Sequence, residues 1–208
     1  VVDSAGINGI FWSVQDGIDA AANAGQMLVR PITGTYGAVL MSAKHSSMTL
    51  RCGAQRQTFD NYPNVHGALI QSTTTYALDF TDCNDCLVEN CSFQTYTGGG
   101  SGGHSAVYLG TSWFNEFRNN RIIDSDNYGI QWAGNTGRII NNYVYGADSY
   151  GIYLQHSYGD GNIVANNHLS HTVTYSIVTA AHANYNLIHG NNGIMPDLGN
   201  APNTGNLF

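Results

Sequence analysis

Charged residues are scarce in this chain of 208 residues. They make up 10% of the sequence, whereas an average protein has about 25%, and Lys44 is the only lysine. Solvent-facing helices usually carry many Glu and Lys residues, so this shortage favours stacked, turn-rich β-structure. The formal net charge of −7 gives no general attraction to a polyanion, and we therefore expect no nucleic-acid partner.

A long apolar run is missing as well. A transmembrane helix needs about 18 or more consecutive apolar residues, and the sequence has no such stretch, so we expect no membrane partner. The length fits one domain with a full core. We assign residues 1–208 to a single domain, with an N-terminal cap over 1–26, repeated coils over 27–195 and a C-terminal tail over 196–208.

Metal-binding patterns are weak. Three of the four cysteines, Cys83, Cys86 and Cys91, follow C-x-x-C-x-x-x-x-C, and Cys52 or a histidine would have to complete a zinc site. No second C-x-x-C pair follows, which favours small apolar residues within a turn and strand, and leaves the redox compartment open. The eight histidines lack the i, i+4 spacing of metal ligands and are interpreted as outward polar residues. We therefore predict no resident cofactor, apart from a calcium alternative given below.

One helix is predicted near the start of the chain. Ser13 is a typical N-cap with Asp16 at N3, and Gly25 ends the segment. The apolar residues of this segment recur at helical spacing: Val14, Ile18, Ala21 and Ala22. The segments predicted next are strands over 27–29, 38–41 and 47–50, with a turn over 34–36.

From residue 76 onward, an asparagine recurs after a short apolar run. The successive spacings are 29, 22, 25 and 25 residues. Asparagine tolerates the left-handed backbone region, and its amide can bond to the copies above and below it. The recurring positions predict an asparagine ladder at a turn: Asn90, Asn119, Asn141, Asn166 and Asn191.

A second marker keeps the same period. Short segments alternate apolar and other residues, so that two inward columns are predicted on successive coils. The first column is Leu78, Val107, Ile130, Ile152 and Ile177, and the second is Phe80, Leu109, Trp132, Leu154 and Thr179. A period of 20–30 residues with several short strands is typical of a solenoid, whose stacked coils build one core. We predict an all-β protein, a right-handed parallel β-helix with a short N-terminal capping helix.

The opening SVQDGIDAAANAGQMLVRPITGTYGAVLMSAKHSSMTLRCGA resembles the start of pectate-lyase-like β-helix proteins. In that superfamily a capping helix precedes a "GtY" turn and a "nvTLrG" strand. The later coils NYGIQWAGNTGRIINNYVYGADSYGIYLQHSYGDGNIVANNHL resemble its parallel repeats. The resemblance covers nearly the whole chain and implies the fold. The superfamily includes polysaccharide lyases, glycosidases, phage tailspikes and non-catalytic adhesins, so the activity is left open.

Two acidic residues keep the same offset from the asparagine ladder. Asp126 follows Asn119 by seven residues, and Asp148 follows Asn141 by seven, so we expect them on adjacent coils about 4.8 Å apart. A retaining glycosidase uses two carboxylates at about 5–5.5 Å, which makes this pair the candidate catalytic residues. The pair could also hold Ca²⁺ with Asp124 as a third ligand, or simply form polar turns.

A column of outward residues lies between the two inward columns. Aromatic rings stack on the apolar faces of sugars, so these residues are the candidate substrate-binding strip. An ordinary sheet surface and a contact between subunits are the alternatives. The strip consists of Asp79, Tyr108, Gln131 and Tyr153.

Three arginines, Arg118, Arg121 and Arg138, fall on two neighbouring coils. In polysaccharide lyases of the superfamily that the chain resembles, an arginine or lysine abstracts a proton from a uronate. That role is an analogy only, and ion pairs are the other interpretation. The acidic partners considered are Glu89, Glu116 and Asp124.

These observations predict a tailspike-like protein that binds or degrades a carbohydrate polymer. The enzymatic version is a polysaccharide lyase or a glycoside hydrolase. The alternatives are a non-catalytic structural or adhesive β-helix of a phage tail or cell surface, and an assembly module without a ligand. We expect an extracellular or virion-surface location. The scarcity of lysine and the outward aromatic columns also predict a homotrimer.

Overall fold

The chain winds into a parallel β-solenoid in a computed structural model. The structure describes residues 2–4, 7–9, 13–25, 28–31, 34–53, 68–74, 76–95, 104–155, 159–172, 174–180 and 183–193. Three parallel sheets run along the solenoid, so the predicted fold class is confirmed. The predicted C-terminal tail, residues 196–208, lies outside the described residues.

The sheets contain seven, six and six strands. The first sheet consists of Leu28–Val29, Thr49–Arg51, Leu87–Glu89, Glu116–Arg118, Arg138–Ile140, Ile163–Ala165 and Leu187–His189. The second consists of Gly34–Tyr36, Ala68–Ser72, Ser92–Thr95, Arg121–Ser125, Tyr143–Ala147 and His168–Ser170. The third consists of Val39–Leu40, Leu78–Asp79, Val107–Leu109, Ile130–Trp132, Tyr150–Leu154 and Tyr175–Thr179. A separate antiparallel pair, Val2–Ser4 and Ile7–Gly9, precedes them.

The predicted helix is present as Val14–Asn23. The Ser13 hydroxyl accepts a hydrogen bond from the Asp16 backbone N–H at 3.0 Å, as an N-cap should. The helix buries its apolar face against the first coil, which closes this end of the core. A single turn of 3₁₀-helix follows at Ala43–His45. No helix in the described part of the chain is long and apolar enough to cross a membrane.

The turn predicted over residues 34–36 is wrong. Gly34–Tyr36 is the first strand of the second sheet and pairs in parallel with Ala68–Ile70 of the next coil. The sequence contains turn-forming residues here, but pairing with the next coil satisfies the extended backbone. The turn was predicted from local residue preferences, which do not contain this pairing between coils.

Both predicted inward columns are confirmed. Leu78, Val107, Ile130, Ile152 and Ile177 pair rung by rung along the third sheet, and all are buried. The second column is also buried and in register from Leu109 to Thr179. Trp132 is its largest member. These columns form the middle of one continuous core that extends from the capping helix to the last coil.

At each turn between the first and second sheets, two consecutive residues have different roles. The first adopts the left-handed conformation, with φ between 53° and 60° at four positions: Asn90 (followed by Cys91), Asn119, Asn141 and Asn166. Gly190 takes this position in the last coil, with φ 65°. Asn191 therefore aligns with the buried Asn167 and not with Asn166. The predicted register was wrong by one residue there, because glycine replaces asparagine at the left-handed position.

The second residue at each of these turns forms the ladder, and it is buried in every coil up to Asn167 and half-buried at Asn191. The Asn142 side chain accepts from the Asn120 backbone N–H at 3.0 Å and donates to the Phe117 carbonyl at 2.9 Å. Its backbone N–H donates to the Asn167 side chain at 2.9 Å. The same pattern links Asn167 to Asn191, so each amide bonds backbone groups that a turn would otherwise leave without partners.

A second ladder, which the sequence analysis missed, lies between the third and first sheets. Asn115, Asn162 and Asn186 are buried, and each follows a residue with positive φ. Gly137 interrupts this ladder. The Trp132 indole N–H donates to the Asn162 side chain at 3.1 Å, and a Cβ at residue 137 would lie 2.5 Å from the Trp132 ring. Glycine at 137 therefore leaves room for the largest core side chain.

All four cysteines are buried and paired, as Cys52–Cys91 and Cys83–Cys86. Three of them were predicted to be small apolar residues within a turn and strand, and the disulfides were not predicted. Cys86 and Cys91 occupy the first step of the two ladders, because their backbone N–H groups donate to Asn115 and Asn120 at 2.8 and 3.0 Å. Cross-links thus hold the early coils where the asparagine amides begin.

We predict that Asn142→Ala destabilises the solenoid by about 2–4 kcal/mol, because it leaves buried backbone groups without partners. Asn141→Gly is the matched control, since glycine accepts the left-handed conformation and residue 141 is exposed. Urea unfolding of both variants measures the difference. An equal loss of unfolding free energy in the two variants would contradict the assignment of the ladder to Asn142.

Candidate functional site

The predicted strip lies in register along the third sheet. Asp79, Tyr108, Gln131 and Tyr153 pair directly with one another on four successive coils. Each is half-buried between fully buried neighbours. The strip therefore presents two phenol rings, an amide and a carboxyl group in a straight line parallel to the axis. Its role in binding remains a prediction.

The two tyrosines of the strip are held by other aromatic rings. Tyr108 stacks on Tyr76 with 4.6 Å between ring centroids, and the Tyr153 ring lies 4.7 Å from that of Tyr128. Tyr128 in turn stacks on Tyr150 at 5.3 Å. Such packing limits the rotamers of the rings, so a ligand would find them already oriented. This support from neighbouring rings was not predicted from the sequence.

The polar members of the strip are also fixed. The Gln131 side chain accepts from the Ser105 hydroxyl at 2.9 Å and donates to the Gln155 side chain at 2.9 Å. Asp79 accepts from the Thr81 hydroxyl at 2.5 Å. Burial raises the pKa of Asp79 above its ordinary value, although the bond from Thr81 opposes the shift.

Burial also raises the pKa of the Tyr108 and Tyr153 phenols, and the charge of Asp79 adds to the effect at Tyr108. Both phenols therefore keep their protons at neutral pH and can donate hydrogen bonds. An array of hydrogen-bond donors and acceptors beside aromatic rings suits a ligand rich in hydroxyl groups.

Asp126 and Asp148 occupy equivalent positions at the turn between the second and third sheets. They directly follow Ser125 and Ala147, which pair in register, and the Asp148 N–H donates to the Ser125 carbonyl at 3.0 Å. Asp148 is exposed and Asp126 half-buried. Asp126 lies two residues before Tyr128, and Asp148 lies two residues before Tyr150. These are the tyrosines that pack beside Tyr153, so the two acids border the same side of the solenoid as the strip. Their catalytic role remains a prediction.

The contacts of Asp124 do not support its predicted role as the third ligand of a calcium site. Asp124 lies in a left-handed bulge with φ 47°, and its carboxylate accepts from the Gln94 side chain of the previous coil at 3.3 Å. The described residues contain no group of three or more His, Cys, Asp or Glu side chains arranged to hold a metal ion.

Ion pairs account for two of the three candidate arginines. Arg118 pairs with Glu89 at 2.9 Å and Glu116 at 2.8 Å, and Arg138 approaches Glu116 at 3.9 Å on the same outer face of the first sheet. Arg121 lies on the second sheet over the Tyr143 ring, 5.6 Å from its centroid. It makes no ion pair with Asp124.

One histidine contradicts the prediction that all are outward. His45 is 1% exposed, and its Nε2 lies 2.8 Å from an Asp19 oxygen. Its Nδ1 accepts from the Ser42 backbone N–H at 2.9 Å, so Nε2 carries the proton donated to Asp19. His168, His171 and His189 are exposed, as predicted. His66, His156 and His182 lie outside the described residues.

Comparison with known proteins gives one family. The family model described as "Periplasmic copper-binding protein (NosD)" matches residues 53–194. This range covers more than half of the chain and includes the strip, the acid pair and most of the two ladders. Neither a curated protein nor a solved structure matches the chain.

The raised pKa of Asp79 leads to a prediction about how stability depends on pH. The folded protein binds the Asp79 proton more tightly than the unfolded chain does, so protonation of Asp79 adds to the free energy of unfolding. This contribution is fully present below the ordinary carboxyl pKa of 3.8 and is lost as the pH rises through the folded-state pKa. Asp79→Asn should therefore melt at a higher temperature than the native protein at pH 7. This advantage should vanish below pH 3.8. The exposed Asp148→Asn serves as the control and should change the melting temperature little at either pH; an Asp79→Asn variant less stable at pH 7 would contradict the prediction.

Proposed function

Since the chain belongs to the family of the periplasmic copper-binding protein NosD, we propose that it is an envelope-side β-helix that binds a carbohydrate polymer along its third sheet. The observation that carries the proposal is the straight strip of half-buried aromatic and polar side chains. The two disulfides suit an oxidising compartment such as the periplasm.

Copper does not account for the described site. Copper prefers imidazole nitrogen and cysteine or methionine sulfur, but all four cysteines are in disulfides. The histidines with described positions do not gather with each other or with acids into a group of three. The residues that the structure describes thus do not fit the metal in the family description, and the proposed function uses none.

A neutral polymer fits the strip better than an acidic one. No lysine or arginine belongs to it, and the chain carries a net charge of −7, which opposes the approach of a polyanion. Tyr108 and Tyr153 are two coils apart, or about 10 Å along the axis. Apolar sugar faces would pack on these rings, while the Gln131 amide and the Asp79 carboxyl bond to hydroxyl groups.

A second candidate function is hydrolysis of the bound polymer by Asp126 and Asp148. Their matching position on adjacent coils favours it, as does the resemblance to glycosidase-containing β-helix proteins. One carboxylate would attack the anomeric carbon while the other, protonated, gives its proton to the leaving oxygen. Water would then release the sugar from the first carboxylate. Lyase chemistry has less support, because Arg118 pairs with Glu89 and Glu116, Arg138 lies 3.9 Å from Glu116, and Arg121 lies over the Tyr143 ring.

The binding proposal predicts that Tyr108→Ala and Tyr153→Ala each weaken binding about tenfold, or ~1.4 kcal/mol, through loss of ring stacking. Affinity electrophoresis on a panel of soluble neutral polysaccharides, followed by calorimetry, measures the change. Tyr145→Ala is the control, since this half-buried ring lies on the second sheet.

If none of the polysaccharides binds, or if all three variants bind alike, the strip is not a carbohydrate site. Light scattering of the same samples tests the expected homotrimer. A trimer that buries Tyr108 would favour the alternative in which the strip is a subunit contact.

Hydrolysis predicts that Asp126→Asn and Asp148→Asn each lower the release of reducing ends by about 10²–10⁴-fold. Binding should change little, because both acids lie at a turn outside the strip, and the melting temperature should change little in Asp148→Asn, whose carboxylate is exposed. Asp124→Asn is the control, since its carboxylate faces Gln94. Full activity in either acid-pair variant would show that these acids are turn residues without a catalytic role.

A further inference from the structure

A cavity lies at the N-terminal foot of the strip. Its walls come from the capping helix, the 3₁₀ turn and the first two strands of the third sheet, and it is an open hollow of about 430 Å³. Pockets that hold small ligands have roughly 300–1,000 Å³. Asp79 lines both this cavity and the strip, so the two are continuous.

The capping helix forms a fixed wall across this end. The Gln15 side chain bonds to the Leu40 backbone in both directions, accepting from its N–H at 2.7 Å and donating to its carbonyl at 3.1 Å. Asp19 on the same helix face binds Lys44 at 2.7 Å and His45 at 2.8 Å. These bonds hold the helix against the first coil, so the position of the wall is fixed in the folded protein.

The cavity combines an apolar floor with polar walls. Leu40 precedes Asp79 in the column of the strip and is 47% exposed, whereas its neighbours Val39 and Met41 are buried. Lys44 offers ammonium donors at one side, and Asp19 and Asp79 offer acceptors. An apolar face beside donors and acceptors is the arrangement that a single sugar ring needs.

We propose that this cavity holds the terminal sugar unit of the neutral polymer, so that the protein recognises chain ends. The inference rests on the proposed function. An internal stretch of polymer would have to continue past the wall that Gln15 and Asp19 of the capping helix contribute to the cavity. A chain that ends at the cavity meets no such obstacle and adds the contacts of Leu40 and Lys44.

The test uses maltohexaose, cellohexaose and mannohexaose, each beside a long soluble polymer of the same linkage, titrated into the full chain by calorimetry. Recognition of ends predicts that the molar affinity per chain is the same for a hexasaccharide and its polymer. It also predicts that α-cyclodextrin, which has no ends, binds at least tenfold more weakly than maltohexaose.

Leu40→Trp fills the cavity from an exposed position and should weaken hexasaccharide binding at least tenfold. Lys44→Met is a second variant with the same expected direction, in case the indole is accommodated. Leu187→Trp is the matched control, because Leu187 is also exposed but lies on the last strand of the first sheet. It should bind as the native protein does.

Two results would overturn the proposal, and they differ in what they leave standing. If affinity scales with the number of sugar units, and Leu40→Trp and Lys44→Met bind normally while Tyr108→Ala does not, the strip binds internal segments and the cavity is not a subsite. If no hexasaccharide or polymer binds at all, the proposed function fails together with the inference.

Discussion

The solenoid depends on satisfying the backbone groups that its turns bury. A parallel coil that turns tightly leaves N–H and carbonyl groups pointing along the axis, away from water. At the turn between the first and second sheets, an asparagine amide on each of the later coils, buried on all but the last, bonds these groups on the coil below. The neighbouring left-handed residue makes the turn sharp enough for that amide to face inward.

This constraint also fixes the register of the outer surface. Because each amide bonds one particular coil below it, a coil cannot slip by a residue without breaking its ladder and turning its apolar side chains outward. The strip is straight for this reason, since its members are pinned by buried residues on either side. Disulfides support the early coils, where cysteines replace asparagines in both ladders.

The sequence predicted those features that follow a local or periodic pattern. The inward columns and the capping helix were correct because side-chain alternation and helix capping are local and periodic. The second ladder was missed because the residue before its asparagine varies: Phe114, Gly161 and Tyr185. The predicted alignment of the last coil was wrong because Gly190 occupies the left-handed position that an asparagine occupies in the earlier coils.

Other errors arose from contacts between segments distant in sequence. Cys52 and Cys91 are 39 residues apart and meet only because the coils stack. His45 is buried because it binds Asp19 on the capping helix, 26 residues away. For the candidate site, the sequence predicted which residues share a column, and the register confirmed it. The cavity at the foot of the strip required the position of the helix, which repeat spacing does not contain.

The most direct test of this account is native-state hydrogen exchange at the ladder. The backbone N–H groups of Asn120 and Asn142 donate to the buried side-chain amides of Asn142 and Asn167, and that of Asn167 donates to the half-buried amide of Asn191. None of these three N–H groups donates to a strand. If the ladder holds the coils together, these three amides should exchange only through global unfolding, as slowly as the adjacent strand residues Ile122 and Val144. Faster exchange of the three through local opening, with the strands still protected, would contradict the claim that the turns depend on the asparagines.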